Sequence, residues 1–400
     1  MKSLDQKLSV LQQHVGDGKI CIMIIGLGSV GSHLLEYLLG RNDETIKIVV
    51  VGRNAYKMIP KVNIRKLSAL IREQCRSTVE IEGGIDFNDV GALARVIDKH
   101  KPDFIINSSR AYPGLNYGFI SWERIRAYGI WCPLSIKFTK NIMRACENAD
   151  ANPIVINTSY PDAVNAWIKS AGRVYPDFGS GNLNHLIPRI KCAVADILNV
   201  VDFWNVECMF AAGHFHDVCV SKDGVTDGIE LPLNIRYHGQ PQNIDVNEIF
   251  SRCRVPMPAD STRNMMNASS NYRAIDAIIA TARDHKSRTI FLPGINGELG
   301  GYPVSVAVND SKLNLAIDTS EFTIERMREV NRQSMYLDGI EKVEGGALYY
   351  TDELIGKTKA AFGVELPKSV EYDRIDEVAQ FLIEKLVKPN LSSIKEPLWM

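Results

Sequence analysis

Residues 20–54, ICIMIIGLGSVGSHLLEYLLGRNDETIKIVVVGRN, constrain the fold of this chain more than any other segment. An apolar run, Ile20–Ile25, leads into glycines at positions 26, 28 and 31. A helix-like segment then separates these glycines from a second apolar run, Ile46–Val51. A strand, a glycine turn, a helix and a second strand within about 35 residues are typical of a dinucleotide-binding βαβ unit.

Each glycine of this loop predicts a local requirement of the backbone. Gly26 allows the tight turn out of the strand, Gly28 lets the backbone approach a pyrophosphate, and Gly31 lets the helix pack closely on the sheet. The helix that begins near Ser29 and Val30 offers free N–H groups and a partial positive charge to the phosphates. We therefore expect these five residues to form the phosphate-binding part of a cofactor site.

The end of the second apolar run predicts which dinucleotide is bound. NAD-binding proteins usually carry Asp or Glu there to bond the ribose 2′-hydroxyl. This chain has Gly52-Arg53-Asn54 instead, with Lys57 just beyond. A guanidinium can pair with a 2′-phosphate in a bidentate manner, whereas a carboxylate would repel it. We therefore expect NADP(H) rather than NAD(H); the alternative is that Arg53 is a solvated turn residue and the acid is simply missing.

Length and charge limit the class of protein. A chain of 400 residues is long for one core, so two domains are expected. With 46 Lys and Arg against 47 Asp and Glu, no basic excess indicates nucleic acid or an anionic membrane as a partner. The N-terminus lacks the apolar core of a signal peptide, and no apolar run reaches membrane-spanning length. Eight scattered cysteines without a CxxC pair fit a reducing cytoplasm and indicate no structural zinc.

Strand-like and helix-like segments alternate along the chain to residue 159. After the first βαβ unit, strands are expected near residues 79–89, 103–109 and 153–159, with a helix over 134–149. This alternation predicts an α/β Rossmann domain, a doubly wound parallel sheet over residues 19–159. Because ligands bind beyond the carboxyl ends of such strands, we expect Ser108, Ser109 and Asn157 at the cofactor site. The loops after Ser109 and Ser159 should hold the substrate.

The pattern changes near residue 160. Helices are expected over 162–171, up to Leu198, and over 261–283 and 321–335. Strand-like segments lie near 203–220, 231–238, 288–292 and 303–317. We therefore expect an α+β catalytic domain over residues 160–339. An N-terminal helix or tail, 1–18, precedes the two domains, and a C-terminal extension, 340–400, follows them with one clear helix over 374–387.

The second domain contains residue types that suit carbonyl reduction. Such a reaction needs a hydride donor held against the carbonyl carbon, an acid for the developing alkoxide and usually a cation for a substrate carboxylate. Histidine suits the acid because its unperturbed pKa is near 6.5, and arginine suits the clamp because its planar fork matches a carboxylate. The domain offers Arg189 and, about 25 residues later, FAAGHFHDV with His214 and His216.

At these segments the chain resembles the lactate/malate dehydrogenase superfamily, from about residue 20 to 335. The resemblance is carried by GLGSVG, DFIINSSR, INTSYPD, GSGNLNHLIPRIKCAVADILNV, AAGHFHD, ASSNYRAIDAIIATARDHKSRTIFLP and INGELGGYPVSVAV. It implies a Rossmann domain followed by a lactate/malate dehydrogenase-like α+β domain. It also implies a homo-oligomeric enzyme that transfers a hydride to or from a 2-oxo or 2-hydroxy acid or a related carbonyl compound, with a carboxylate on this small-molecule substrate.

The resemblance also implies roles for individual residues. The family's carboxylate-binding arginine falls on Arg189, because RIKCAVADILNV aligns to that helix without gaps. Its catalytic histidine falls best on His214, which follows Gly213, and His216 is the close alternative. The substrate-loop arginine matches Arg110, at the end of the fourth strand.

Two departures from the family pattern affect the substrate. The aspartate that orients the family's histidine would fall near Asn184 or His185, so these two side chains are expected in the pocket. The family's Asn-Pro turn becomes Tyr160-Pro161. The side chains that remain to bond a substrate hydroxyl are Asn157, Ser159 and Tyr160. We expect a substrate that differs from lactate and malate and is bulkier.

Two alternative functions fit the same segments. NAD-dependent family 4 glycoside hydrolases resemble this fold and use a divalent metal held by Cys and His. Their Asn-His pair would fall on Gly213-His214, but the metal-binding cysteine position, near Asn184, is not a cysteine. We therefore expect no metal. The second alternative is a non-catalytic, cofactor-sensing protein, for which the altered Asp and Asn-Pro positions are the argument.

Overall fold

A computed structural model describes residues 2–112, 114–258 and 260–390 of the chain. Within these ranges, the side chains of residues 115, 116, 119 and 120 are outside the description. The last ten positions of the predicted C-terminal extension, 391–400, also lie outside the described residues.

The first part of the chain forms a six-stranded parallel sheet with helices on both faces. Its elements are α1 (Leu4–Gly16), β1 (Ile20–Ile25), α2 (Ser29–Gly40), β2 (Ile46–Val51), α3 (Ala55–Ile71), β3 (Thr78–Glu82), α4 (Val90–His100), β4 (Phe104–Asn107), α5 (Leu115–Ile125), α6 (Cys132–Asn148), β5 (Ile154–Asn157), α7 (Pro161–Ser170) and β6 (Phe178–Gly179). The strand order is β3-β2-β1-β4-β5-β6, and it reverses between β1 and β4. A ligand crevice is expected at this reversal, beyond the carboxyl ends of the strands.

The central strands are apolar because helices cover both faces of the sheet. Every residue of β4 and β5 is buried, as is almost all of β1 and β2. A parallel strand covered on both faces has no solvent side, so its sequence shows a continuous apolar run rather than alternation. The predicted Rossmann sheet is confirmed.

An α+β part follows the parallel sheet, as predicted. Its elements are α8 (Leu186–Leu198), β7 (Val206–Phe210), α9 (His214–Asp223), β8 (Leu233–Tyr237), β9 (Gln240–Pro241), α10 (Val246–Ser251), α11 (Asn264–Asp284), β10 (Arg288–Pro293), β11 (Gly301–Asn309), β12 (Lys312–Ile317) and α12 (Ile324–Leu337). The strands form two antiparallel three-stranded sheets, β7-β8-β9 and β10-β11-β12. Helix α11 packs on α2, which joins this part to the parallel sheet.

The expected strand over residues 203–220 is wrong beyond residue 210. The strand ends at Phe210, and α9 begins at His214 after an extended Gly213 (φ −91°, ψ −179°). Aromatic and β-branched residues in FHDVCV suggest a strand from sequence alone, but packing context can override that preference. In the structure, Phe215 and Cys219 lie four residues apart on one buried helix face.

The C-terminal extension contains more structure than the single predicted helix. Its described elements are β13 (Ile340–Glu344), β14 (Ala347–Tyr350), α13 (Asp352–Phe362), β15 (Ser369–Glu371), α14 (Ile375–Leu382), a π-helical turn (Ile383–Val387) and α15 (Lys388–Asn390). The β13–β14 hairpin turns at Gly345 and Gly346, with φ of 58° and 82°. Two adjacent residues with positive φ are the requirement of a tight hairpin turn, and glycine meets it without strain.

Buried contacts join the N-terminal helix and the C-terminal extension to the rest of the protein. The predicted domain boundaries therefore stay predictions. Leu8 and Leu11 of α1 share a core with β1, β2 and β12, and the buried Lys7 Nζ lies 2.7 Å from Asp177 Oδ2. Leu354 and Leu386 of the extension share a second core with Trp131. Among the described residues, none of the helices combines the length and the apolar character that a bilayer crossing requires.

Candidate functional site

The glycine loop between β1 and α2 has the backbone geometry that its sequence predicts. Gly26 has φ of +96°, a left-handed conformation that side chains rarely adopt. A Cβ on Gly31 would lie 2.1 Å from the carbonyl oxygen of Gly26, so helix and loop approach too closely for any other residue. Gly28 has nothing within 4 Å of its Cβ position. The loop therefore leaves its backbone open towards the crevice.

A groove of about 280 Å³ runs along this loop at the carboxyl ends of β1, β2 and β4. Its lining residues are Gly26, Leu27, Gly28, Gly52, Arg53, Asn54, Lys57, Met58, Lys61, Phe87, Ser108, Ser109, Arg110 and Phe138. We call this the dinucleotide groove. Seven of the predicted cofactor residues line it: Gly26, Gly28, Gly52, Arg53, Asn54, Ser108 and Ser109. Ser29, Val30 and Gly31 form the first turn of α2 and do not line the groove.

The dinucleotide groove is strongly basic. Arg53, Lys57, Lys61 and Arg110 line it, and none of the described residues that line it is acidic. Lys61 was not predicted, although it follows Lys57 by one helical turn in α3 and so shares its face. Its Nζ donates to the carbonyl oxygen of Leu27 in the glycine loop at 3.0 Å.

Asn157 lies beneath the site rather than in it. The side chain is fully buried, and its Oδ1 accepts hydrogen bonds from Thr139 Oγ1 at 3.2 Å and from the Ser159 N–H at 3.0 Å. Its Nδ2 donates to Asn165 Oδ1 at 3.1 Å. These bonds brace the loop after β5, so the expectation that Asn157 lines the cofactor groove is not met.

A second, smaller cavity of about 60 Å³ adjoins the dinucleotide groove. It is lined by Arg110, Tyr117, Tyr128, Trp131, Ser135, Thr158, Tyr160, Pro161, Ser180, Asn182, His214 and Asn267. We call this the His214 cavity. Arg110 lines both spaces, so the cavity and the groove meet at this residue. A small molecule in the cavity would lie next to the end of a dinucleotide in the groove.

A buried carboxylate that the sequence did not reveal holds His214. Asp338, at the end of α12, is fully buried, and its Oδ2 lies 2.7 Å from His214 Nδ1. The same oxygen accepts a hydrogen bond from the Tyr160 hydroxyl, and Oδ1 accepts from the Tyr128 N–H at 2.6 Å. The Nε2 of His214 has no hydrogen-bond partner among the described residues. A histidine held in this way can exchange a proton with a molecule in the cavity.

Asp338 also determines the protonation of His214. Burial disfavours the charged imidazolium, but the charge of Asp338 and its hydrogen bond outweigh burial and raise the pKa of His214 above its ordinary value. A raised pKa keeps a larger fraction of the imidazole protonated near neutral pH. His214 can therefore serve as a proton donor under those conditions.

Asn184 and His185, which fall near the position of the family's orienting aspartate and were expected in the pocket, face elsewhere. Asn184 Nδ2 donates to the carbonyl oxygen of Phe291 at 2.7 Å, and His185 Nδ1 lies 3.3 Å from Asp217 Oδ2. Both line a separate groove of about 790 Å³ between α8 and the strands of the α+β part. Their expected role in the pocket is therefore corrected: Asp338, 124 residues beyond His214, is the carboxylate that contacts this histidine.

His216 and Arg189 are not brought to the His214 cavity either. His216 is fully buried, its Nε2 lies 3.2 Å from the carbonyl oxygen of Thr226, and burial lowers its pKa to about 4. Arg189 is buried and donates from Nη1 to the carbonyl oxygen of Cys253 at 2.8 Å. Among the described residues that line the cavity, Arg110 supplies the guanidinium.

Asp162 is a second buried carboxylate beside the cavity. Its Oδ2 accepts a hydrogen bond from Asn182 Nδ2 at 2.7 Å, whereas Oδ1 is buried and has no partner in the described part of the chain. Burial raises the pKa of Asp162 to about 6, although His214 and the Asn182 hydrogen bond oppose this shift. An isolated buried carboxylate is costly when charged, because nothing replaces its lost hydration.

Within the described ranges, one group of three His, Cys, Asp or Glu side chains has the spacing of a metal site. It consists of Glu80, Glu82 and His100, at the outer strand β3 and the end of α4. None of the three lines the dinucleotide groove or the His214 cavity. Lys47 and Lys99 already pair with the two glutamates, at 2.8 Å and 2.6 Å.

Replacing Asp162 with Asn tests the cost of its charge. In the folded protein the carboxyl titrates near pH 6, against about 3.9 when unfolded, so folding takes up a proton between these values. The free energy of unfolding therefore falls, through this group, as pH rises towards 6. Asp162→Asn removes this dependence and keeps an acceptor oxygen for Asn182.

Urea unfolding measures the free energy of unfolding of Asp162→Asn minus that of wild type. We expect this difference to be about 1 to 2 kcal/mol more favourable to the variant at pH ~7.5 than at pH ~5. Asp17→Asn, at an exposed carboxylate, is the matched control. A difference between wild type and Asp162→Asn that is the same at both pH values would contradict a raised pKa.

Comparison with known proteins shows what this architecture is similar to. No protein-family model and no curated protein matches the sequence. Among solved structures, a lactate dehydrogenase from Eimeria maxima with NADH and oxamate aligns with a TM-score of 0.51 and 15% identity, over 80% of this chain and 91% of that one. A lactate dehydrogenase from Cryptosporidium parvum, with lactic acid and β-nicotinamide adenine dinucleotide, aligns with a TM-score of 0.50 and 16% identity, over 80% and 97%.

A malate dehydrogenase from Plasmodium falciparum with NADH covers 86% of this chain and 99% of its own, with 16% identity and a TM-score of 0.48. At these identities the likeness concerns the fold alone. The resemblance found in the sequence is confirmed at that level. The chain has the fold of the lactate dehydrogenases, a Rossmann sheet followed by an α+β part.

Proposed function

We propose that this protein is an NADP(H)-dependent oxidoreductase that transfers a hydride to or from a small 2-oxo or 2-hydroxy acid or a related carbonyl compound. One observation carries the proposal: Asp338 holds His214 so that Nε2 is left for a molecule in the His214 cavity, and that cavity meets the dinucleotide groove at Arg110. The fold adds support, since two lactate dehydrogenases that share it were solved with nicotinamide dinucleotides and with oxamate or lactic acid.

The proposed roles follow from the contacts of each side chain. A bound nicotinamide supplies or accepts the hydride at the carbonyl carbon. In the reducing direction, His214 donates the proton on Nε2 to the carbonyl oxygen, and Asp338 stabilises the imidazolium before that transfer. Arg110 pairs with the substrate carboxylate at the junction of cavity and groove. In the oxidising direction His214 accepts the same proton back.

The preference for NADP(H) rests on this chain's own residues. Arg53, Lys57 and Lys61 lie along the dinucleotide groove, without an acidic residue among the described residues that line it. Such a set favours a 2′-phosphate and offers no carboxylate for a 2′-hydroxyl. The lactate dehydrogenases named above were solved with NADH or NAD, so they give no support to this preference.

The two alternative functions gain no comparable support. The glycoside hydrolase alternative needs a metal held near His214, and in the described ranges the one candidate group is Glu80, Glu82 and His100, at another place. A cofactor-sensing protein has no need for a buried carboxylate that raises the pKa of a cavity histidine.

We also infer that the protein is a homo-oligomer. Six large apolar side chains of α3 are exposed, among them Tyr56 (88%), Ile64 (62%) and Ile71 (85%). Soluble monomers rarely expose a continuous apolar stripe of this kind, and a helix stripe is well suited to pack on another copy.

Exchange of His214 for Gln tests the proton donor. We expect the turnover of NADPH with a 2-oxo acid to fall about 100- to 10,000-fold while the Kd for NADPH is unchanged, because His214 does not line the groove. His238→Gln, at an exposed histidine, is the control. Unchanged turnover in His214→Gln would exclude this acid–base role.

Asp338→Asn tests the orienting carboxylate. Without its charge, the pKa of His214 should fall, so the imidazole loses its proton at a lower pH. The pH profile of the reducing direction should shift towards acid, with a lower maximal rate. A profile with the wild-type midpoint would show that Asp338 does not determine this titration.

Arg53→Asp tests the cofactor preference. We expect the Kd for NADPH to rise about 10- to 100-fold, since a carboxylate repels the 2′-phosphate, while the Kd for NADH stays equal or falls. Lys66→Asp, on helix α3, which follows Arg53, but not lining the groove, is the matched control. Fluorescence titration measures both constants. Equal wild-type affinity for the two cofactors would contradict the NADP(H) proposal.

Leu67→Asp, in the exposed stripe of α3, tests the homo-oligomer. We expect light scattering to give an oligomeric mass for wild type and a smaller one for this variant, because burying an unpaired charge opposes association. Val201→Asp, at an exposed apolar residue outside α3, should leave the mass unchanged. A monomeric wild-type protein would disprove the inference.

A further inference from the structure

Hydrogen-bonding groups dominate the wall of the His214 cavity. Of its twelve lining residues, seven are polar, four are aromatic and the last is Pro161. None of the described residues that line it is Ala, Val, Leu, Ile or Met. A substrate with an alkyl side chain would therefore meet only Pro161 and the aromatic rings as apolar surface, and burying a methyl group against the hydroxyl and amide groups would leave those groups without partners.

Several of these polar groups have capacity that the protein does not use. The hydroxyl of Tyr117 is buried and has no hydrogen-bond partner among the side chains and backbone that the structure describes, and this residue is only 3% exposed. Asn182 donates from Nδ2 to Asp162, and within the described part of the chain its Oδ1 has no donor. Asn267 donates weakly to Asn264 Oδ1 at 3.5 Å, and its own Oδ1 is likewise without a donor there. A buried hydroxyl without a partner is rare, so a ligand that supplies one is expected.

The three groups differ in what they offer to a ligand. Tyr117 can donate and accept, whereas the free amide oxygens of Asn182 and Asn267 can only accept. A ligand that satisfies all three must carry hydrogen-bond donors of its own, such as O–H groups, besides the carbonyl that faces His214. Arg110 is the charged donor that remains for a carboxylate.

We propose, on the basis of the oxidoreductase function proposed above, that the substrate is a short 2-oxo acid with a hydroxyl on the carbon next to the reacting carbonyl. In the oxidising direction the substrate is the corresponding dihydroxy acid. In the 2-oxo acid, Tyr117 donates to the oxygen of the hydroxyl, Oδ1 of Asn267 accepts its single proton, and Arg110 pairs with the carboxylate. In the dihydroxy acid the second O–H is available to Oδ1 of Asn182. A cavity of about 60 Å³ has room for a few water-sized groups, which limits the chain to about three carbons.

The reaction of such a substrate balances with the groups already named. Reduction breaks the C–H bond at the nicotinamide of NADPH and forms a C–H bond at the carbonyl carbon. The carbonyl oxygen takes its proton from Nε2 of His214, and the products are a 2,3-dihydroxy acid and NADP⁺. The second hydroxyl takes no part in the redox step; it contributes binding energy and position.

Recognition of a hydroxyl gives strong discrimination. A site built to bond a substrate hydroxyl rejects the analogue that lacks it by about 10⁴- to 10⁵-fold, because its polar groups are then buried without partners. A site that merely tolerates an additional hydroxyl discriminates by about 100-fold or less. The ratio of kcat/KM for two substrates that differ by one hydroxyl therefore distinguishes a site that bonds the hydroxyl from one that only tolerates it.

The test compares hydroxypyruvate with pyruvate as substrates for the full-length protein with NADPH. We expect kcat/KM for hydroxypyruvate to exceed that for pyruvate by at least about 1,000-fold. Tyr117→Phe removes one hydroxyl and keeps the ring, and it should narrow the ratio about 10-fold or more. Tyr37→Phe, at a partly buried tyrosine of α2 outside the cavity, should leave the ratio unchanged.

Binding provides a readout that does not depend on turnover. With NADP⁺ bound, glycerate should bind more tightly than lactate, and both Tyr117→Phe and Asn267→Ser should reduce the difference. A ratio near one in both turnover and binding would overturn the hydroxyl inference and leave the oxidoreductase proposal standing. Selective glycerate binding with no turnover of either acid would support hydroxyl recognition and count against the oxidoreductase. Binding of neither acid would overturn the inference.

Discussion

The candidate site depends on the carboxylate of Asp338. Its two oxygens accept from the Tyr128 N–H and the Tyr160 hydroxyl and contact His214 Nδ1. A fully buried carboxylate is costly unless its lone pairs are satisfied, and these groups satisfy them. In return the carboxylate orients the imidazole, raises its pKa and connects three distant segments of the chain.

The position of Asp338 links the site to the C-terminal extension. Asp338 ends α12, its carbonyl oxygen accepts a hydrogen bond from the Gly129 N–H at 2.9 Å, and β13 begins two residues later. The extension packs on α5 and α6, next to Trp131 of the His214 cavity. This cover explains why the cavity is small. The small cavity does not agree with the expectation of a substrate bulkier than lactate or malate. The polar groups that line the cavity therefore say more about the substrate than the cavity volume does.

The elements that could be predicted are those whose signals are local. The glycine loop, the buried parallel strands and the helices of the second part follow from spacing within a few residues, and the structure contains them. Arg53, Asn54, Ser108 and Ser109 follow strand ends, and the topology brings them to one groove. His214 was a candidate from its residue type, and the resemblance favoured it over His216 and indicated Arg110.

The residues placed incorrectly are those whose role depends on side-chain direction. Asn184 and His185 were assigned by alignment, but they lie just before α8 and line another groove. Arg189 lies on a helix, as predicted, but its side chain donates to the Cys253 carbonyl oxygen and does not line the His214 cavity. Asn157 lies at the end of β5, as predicted, but its side-chain amide hydrogen-bonds Asn165 and the Ser159 N–H beneath the loop after β5. Position along an element is a local property, whereas the cavity that a side chain reaches depends on everything packed around it.

Sequence alone was sufficient for a Rossmann sheet, basic residues at its strand ends and a histidine in the second part, because backbone requirements and strand-end positions are set by neighbouring residues. It contained no sign that Asp338 would hold that histidine, since the two are 124 residues apart and Asp338 lies beyond the segment that resembles the lactate/malate dehydrogenases. Nor did it show that unpaired hydroxyl and amide groups would line the cavity. The first follows from packing between α9 and α12, and the second from contacts among segments that are far apart in the chain, because only contact between distant segments can bury a carboxylate beside an imidazole.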